Sequence, residues 1–148
     1  MELIISTLEY SKRPEVTLPN PNFLKLLKEE GMRKMVNDHY NLLLQSSVKG
    51  LFPQDDNEFE LAKKRSADFF IQICGGPTYF NENRGKPMLS KRHEPFKITP
   101  EARITWLQCY QAVLLKLNLP EDIIMSYWNY LNYFSNWMVN SPQNEPNI

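Results

Sequence analysis

Residues 87–106 read P-M-L-S-K-R-H-E-P-F-K-I-T-P-E-A-R-I-T-W, and the prolines leave this stretch few conformations. Proline breaks a helix interior but is tolerated at its start, so Pro87 and Pro95 bracket a span just long enough for two helical turns. Inside it, Leu89 lies four residues before His93 and shares a helical face with it. An imidazole and an aliphatic chain therefore stand side by side. Lys91 and Arg92 come immediately before the histidine, and Phe96 follows. A new helix then opens with Thr99 as N-cap and Pro100 at its first position, which places Trp106 two turns in.

A neutral imidazole is the commonest protein ligand for iron and zinc. Zinc needs three or four ligands at short spacing, whereas His39, His93, Cys74 and Cys109 are scattered through the chain. Haem needs only one protein ligand, because the porphyrin supplies four nitrogens. It also needs cations for two propionates and an apolar slot for its ring, and Lys91, Arg92, Leu89 and Phe96 meet that requirement. The local pattern by itself is also that of a surface histidine in a basic turn, the commoner use of the residue.

The rest of the chain reads as helices. At 148 residues it is one domain by the usual size prior. Five glycines and long stretches of 3.6-residue apolar period point to an all-α fold. Seventeen basic residues balance seventeen acidic ones, which argues against a nucleic-acid-binding stripe. No apolar run is long enough to span a membrane. A short helix is expected over residues 23–30, capped by Asn22, and a second over 32–47. In the second, Met32, Met35, Val36, His39, Tyr40 and Leu43 mark one face. Asp55 or Asp56 caps the next helix, which ends at Cys74 before the Gly75-Gly76-Pro77 stop. Its inner stripe includes Phe59, Ala62, Ser66, Phe69 and Phe70, with Glu60, Lys63, Lys64 and Asp68 outside. Residues 78–86 read as a polar loop. The last two helices are expected over 100–118 and, with Pro120 at the first position, from there to about residue 140. No Ser-His-Asp set, phosphate loop or carboxylate pair stands out.

Taken in order, these stretches resemble the truncated haemoglobins, specifically their second group. The resemblance lies in R-H-E-P-F followed thirteen residues after the histidine by W-L-Q-C, and in G-G-P-T-Y-F-N-E-N-R-G-K-P-M-L upstream. It extends to the pair His39-Tyr40, to Leu51-Phe52-Pro53 and to M-V-N-S-P at 138–142, so it covers residues 23–142. It implies a two-on-two helical sandwich holding haem b, with His93 as the proximal iron ligand. Tyr40 and Trp106 would then be donors to the ligand, and Phe52, Phe69, Leu89 and Phe96 would pack against the ring. Ala62 and Ser66 fall at the two distal helix positions, where relatives carry glutamine or leucine in place of Ser66. Lys91 and Arg92 are the cations for the propionates, and Arg65 is either a third or a solvated face residue. Two readings stay open for Tyr40: a core hydroxyl bonded to a backbone carbonyl, or a donor to the ligand. Ser66 is open between a hydroxyl back-bonded to its own helix and a distal group. His39 replaces the family's usual phenylalanine; it is either a packed, hydrogen-bonded histidine or a second ligand to the iron or proton shuttle.

The resemblance further implies binding of O2, NO and CO, with high oxygen affinity suited to nitric oxide dioxygenation or peroxide reduction with help from a reductase. A ligand-binding module or sensor without turnover, and a haem-free helical interaction domain, are the competing readings. Residues 1–22 read as an extension, either a strap on the domain or an unordered arm, and residues 143–148 as a loose tail. Leu3-Ile4-Ile5 is too short, and lacks the basic start, for a secretion signal. The two cysteines then read as free thiols in a reducing cytoplasm.

Overall fold

The computed structural model describes residues 1–6 and 15–141, so the expectation for a tail from residue 143 lies outside the described residues. Six α-helices run through them: α1 (Asn22–Leu44), α2 (Asp56–Ile73), α3 (Tyr79–Arg84), α4 (Leu89–His93), α5 (Pro100–Leu114) and α6 (Glu121–Phe134). Short 3-10 turns cover Lys49–Leu51 and Ser135–Met138. α1 packs against α2 and also against α5 and α6, so the two long helix pairs face each other across the core. That core is aromatic. Phe23 stacks on Tyr127 at 4.2 Å between ring centroids, and Phe70 meets both Tyr110 and Tyr127 edge-on or tilted.

The helix starts follow local chemistry. Asp55 accepts from the Glu58 backbone N–H at 3.0 Å, and Thr99 from that of Ala102 at 3.1 Å. At α1 the capping role falls to Asn20 rather than Asn22. The Asn20 carbonyl accepts from Phe23 N–H, and its side chain from Asn22 N–H. The two expected N-terminal helices form one kinked helix. Its break sits at Lys28, whose φ of 65° is left-handed, and not at Gly31. Gly31 has another job: a Cβ there would lie 2.7 Å from Leu27 Cγ, so the glycine lets Leu27 close over the kink.

The Gly-Gly-Pro stop works through two different glycines. Gly75 has φ +93°, which ends α2 in the left-handed conformation. At Gly76 a Cβ would meet the Ile71 carbonyl oxygen at 2.9 Å and Leu24 Cδ2 at 2.8 Å, so α1 and the end of α2 approach too closely for a side chain. Gly76→Ala is therefore expected to cost about 1–3 kcal/mol through overpacking against backbone. A lower urea midpoint at unchanged slope checks this; an unchanged midpoint refutes it.

Residues 79–84 are helical rather than a loop. The Gln72 side chain caps them from α2, accepting from Asn81 N–H and donating to Asn81 Oδ1, while Phe80 is buried beneath. Asp68 is also displaced from its expected outward position. It is buried between α1 and α2, held by Arg33 at 2.9 Å and Lys64 at 3.2 Å. α6 starts at Glu121 with Pro120 just outside it, and the final stretch tightens into the 3-10 turn.

Residues 1–6 form a strap laid across α5 and α6. Leu3 is buried, and its carbonyl accepts from Gln111. The Ile4 carbonyl accepts from the Trp128 indole and from Asn132. The Ser6 carbonyl accepts from Arg103. No helix among the described residues is long and apolar enough to cross a membrane.

Candidate functional site

α4 is five residues long and is preceded by Met88 in the left-handed region, at φ 41°. Its brevity follows from the prolines on either side. On it, His93 Nδ1 lies 2.6 Å from the Leu89 carbonyl oxygen. A carbonyl only accepts, so Nδ1 carries the proton and Nε2 is the free ring nitrogen. A backbone carbonyl on Nδ1 is the usual way of orienting a metal-ligating histidine.

His93 forms part of the wall of a cavity of about 350 Å³. The wall gathers side chains from all six helices, α6 contributing its last residue Phe134, together with the 3-10 turns. Tyr40, Phe52, Ala62, Ser66 and Phe69 line it from α1, the Lys49–Leu51 corner and α2. Leu89, Phe96 and Trp106 line it from α4, the following turn and α5. The surface so enclosed is mostly apolar, as small-molecule and cofactor sites usually are.

Tyr40 and Trp106 bring hydrogen-bond donors to that wall. Burial raises the Tyr40 hydroxyl above the usual phenol range, with the neighbouring Ser66 side chain acting in the opposite direction, so it is a protonated donor at neutral pH. Tyr40 and Ser66 both line the cavity, where each is placed to act on a ligand. Phe52 packs edge-on to the Tyr40 ring at 5.4 Å. The Trp106 indole N–H finds no acceptor among the described residues, although its backbone carbonyl is taken by His39.

The cations at the cavity differ in part from those expected. Arg65 and Arg92 line it and Lys91 does not; Lys91 is exposed beside it. Arg92 donates to the carbonyls of Pro87, Arg84 and Lys86 and lies over the Phe80 ring at 5.5 Å, so it also ties the turn before α4 together. Arg84 joins them. Burial, then the charges of Arg65 and Arg92, push its guanidinium below its usual value, which places three like charges at one rim. No carboxylate pairs with these three among the described residues. Arg84 sits in the R-G pair of the upstream motif, and that position was its only signal. Arg103 lines the cavity too, from a buried position where Ser135, Asn132 and the Ser6 carbonyl hold it.

The family described as bacterial-like globin matches residues 24–140. Group 2 truncated haemoglobin YjbI of Bacillus subtilis (strain 168) is 30% identical over 118 residues, covering 79% of this chain and 87% of that protein. The chain belongs to the group II truncated haemoglobins. Among solved structures, phosphate-bound Hell's gate globin IV superposes with a TM-score of 0.86 at 33% identity, over 95% of this chain and 88% of that one. The truncated oxygen-avid haemoglobin of Bacillus subtilis gives 0.74 at 28%, over 80% and 98%. The two-on-two globin fold expected from the motifs is thus the fold observed.

A truncated haemoglobin binds haem and, at its iron, dioxygen. The cavity of this globin fits that group on its own geometry. It offers one ring nitrogen left free by a backbone bond, an apolar slot, and a rim of arginines without carboxylate partners. No cluster of three or more His, Cys, Asp or Glu exists among the described residues to hold a bare metal ion instead.

His39 lies outside this wall. It is buried, stacked on Tyr110 at 3.7 Å, and donates from Nε2 to the Trp106 carbonyl at 3.0 Å. Its Nδ1 has no partner, and burial lowers the imidazole from 6.5 to about 3. It is a packed neutral histidine that fixes the backbone of the helix turn bearing Trp106, and it is no second ligand. Between pH 6.5 and about 3 the unfolded chain takes up a proton here that the folded chain does not. This contribution to stability is complete above pH 6.5 and is lost as pH falls. His39→Phe removes the dependence. Relative to the native protein, the variant should gain stability by about 1.4 kcal/mol per pH unit below pH 6. Denaturation of both proteins at pH 7 and pH 5 checks this, and parallel pH curves refute it.

Of the two free cysteines, Cys74 is buried, and burial pushes its thiol up to about 12. Cys109 is partly exposed, with its thiol raised for the same reason.

Proposed function

We propose that this globin binds haem b through His93 and holds dioxygen long enough for redox chemistry, either nitric oxide dioxygenation or peroxide reduction. The observation that carries the reading is the pair of donors, the Tyr40 hydroxyl and the Trp106 indole, on the same apolar wall as His93. When bound, the haem supplies the iron site for O2, NO or CO and the one-electron chemistry. The chain supplies everything else. Ser66 stands beside Tyr40, whose protonated hydroxyl is available to the diatomic ligand. Trp106 offers a second proton from α5. Ala62 is too small to obstruct entry. Arg65, Arg84 and Arg92 neutralise the carboxylates of the porphyrin edge.

Two half-buried donors of this kind, each contributing about 1–2 kcal/mol, slow ligand release by orders of magnitude. Slow release suits a reaction on the retained ligand better than oxygen delivery, and the related protein from Bacillus subtilis is described as oxygen-avid. Sustained turnover needs electrons from a reductase, and a reducing cytoplasm is the setting we assign. The test mixes oxygenated ferrous protein with nitric oxide in the presence of a flavin reductase, and separately adds hydrogen peroxide with a reductant. Catalytic formation of nitrate, or consumption of peroxide, over many turnovers supports the proposal. Intact oxygen binding with neither turnover overturns it in favour of a ligand-binding module or sensor.

A further inference from the structure

The helix that carries His93 is too short to hold itself in place. Five residues make at most a turn and a half, a helix of that length is unstable alone, and α4 starts from a residue in the left-handed region. It is held instead by the last described residues of the chain. Ser90, near the start of α4, donates to the Trp137 carbonyl at 3.2 Å. At the other end the Asn140 side chain donates from Nδ2 to the carbonyls of His93, at 3.1 Å, and Phe96, at 2.7 Å. Its Oδ1 accepts from Ile98 N–H at 2.9 Å, and its own backbone N–H donates to the Ile98 carbonyl. One carboxamide thus closes both edges of the turn that follows the histidine.

We propose that Asn140 is a positioning residue for His93: the C-terminal turn hooks α4 at both ends and sets the direction in which the free imidazole nitrogen points. The proposal rests on the reading of His93 as the iron ligand. The chemistry explains the residue type. The site needs two N–H donors and one acceptor on a short stem, which only asparagine supplies. Aspartate has the same size and keeps the acceptor, but sets a carboxylate against two carbonyls. Alanine loses both functions.

The experiment compares the native chain with Asn140→Asp and Asn140→Ala in three readouts. The first is the rate of haem transfer to a high-affinity acceptor globin. Loss of groups that orient a metal ligand typically weakens metal binding 10–100-fold. Both variants should therefore release haem on the order of tenfold faster or more. The second is the iron–histidine stretching band of the ferrous protein, which should shift or broaden in both. The third uses the haem-free protein, where hydrogen exchange at the Ile98 amide should accelerate in Asn140→Ala and stay near native in Asn140→Asp. Unchanged haem release and an unchanged stretching band, in variants whose helical circular dichroism is native, overturn the proposal. A native chain that takes up no haem overturns the underlying reading of His93. In that case the exchange pattern still reports whether the hook exists.

Discussion

His93→Ala is expected to leave a folded, helical protein that no longer retains haem. The side chain is half-buried on a short peripheral helix, and its one protein bond is to the Leu89 carbonyl, so the fold loses little. The cofactor loses its only protein ligand. Removing a group that merely orients a metal ligand costs 10–100-fold in affinity, so removing the ligand itself should cost on the order of a hundredfold or more. Haem transfer to an acceptor globin, followed by absorption, measures this. His93→Gly with imidazole in the buffer supplies the control, because a free imidazole in the vacated space should restore the native spectrum without restoring the covalent tether. Native retention in His93→Ala contradicts the assignment. So does failure of imidazole to rescue a glycine variant that is folded and takes up haem.

The second large effect concerns oxygen release. Tyr40→Phe removes the hydroxyl but keeps the ring between Phe52 and Phe59. Trp106→Leu removes the indole N–H that has no acceptor among the described residues. Each lost donor is worth about 1–2 kcal/mol, or roughly tenfold or more in the dissociation rate of O2. Both donors face one cavity, so the double variant should fall short of the product of the two single effects. Ser66→Ala should have a smaller effect in the same direction, since it leaves the Tyr40 proton in place but removes the hydroxyl beside it. Stopped-flow replacement of O2 by CO gives the rates. Rates equal to native in both single variants would show that the ligand lies elsewhere or is held by neither group.

How much of this was legible in the sequence follows from the range of the forces involved. The starts of α2 and α5 were legible because their caps are local: Asp55 with Glu58, and Thr99 with Ala102. So was α4, because two prolines bound it. The motif order placed Tyr40, Ala62, Ser66, His93 and Trp106 around one centre, and all five line the cavity. What was missed depends on contacts distant in sequence. Asp68 follows an apolar stripe and reads as outward-facing until Arg33, thirty-five residues away, is brought against it. The segment 79–84 reads as a loop because its composition is polar; its helix is organised by Gln72 on the preceding element. The break falls at Lys28, next to the Leu27 that closes over Gly31, rather than at the glycine that local propensity marks. Lys91 and Arg92 are adjacent and alike in charge, yet on a helix neighbours point apart, and only Arg92 turns to the cavity while Arg84 takes the other place. Asn140 sits in a motif recognised only as a helix end, and its four hydrogen bonds to residues 93–98 appear once the last turn folds back on α4.

The account stands on the bond between His93 and a haem iron, and titration of the haem-free protein with haemin tests it most directly. One haem per chain should bind with a sharp break in the Soret band, and the reduced, ligand-free form should show an iron–histidine stretching band. A Soret change that never saturates, or a ferrous form without a histidine signature, would contradict it.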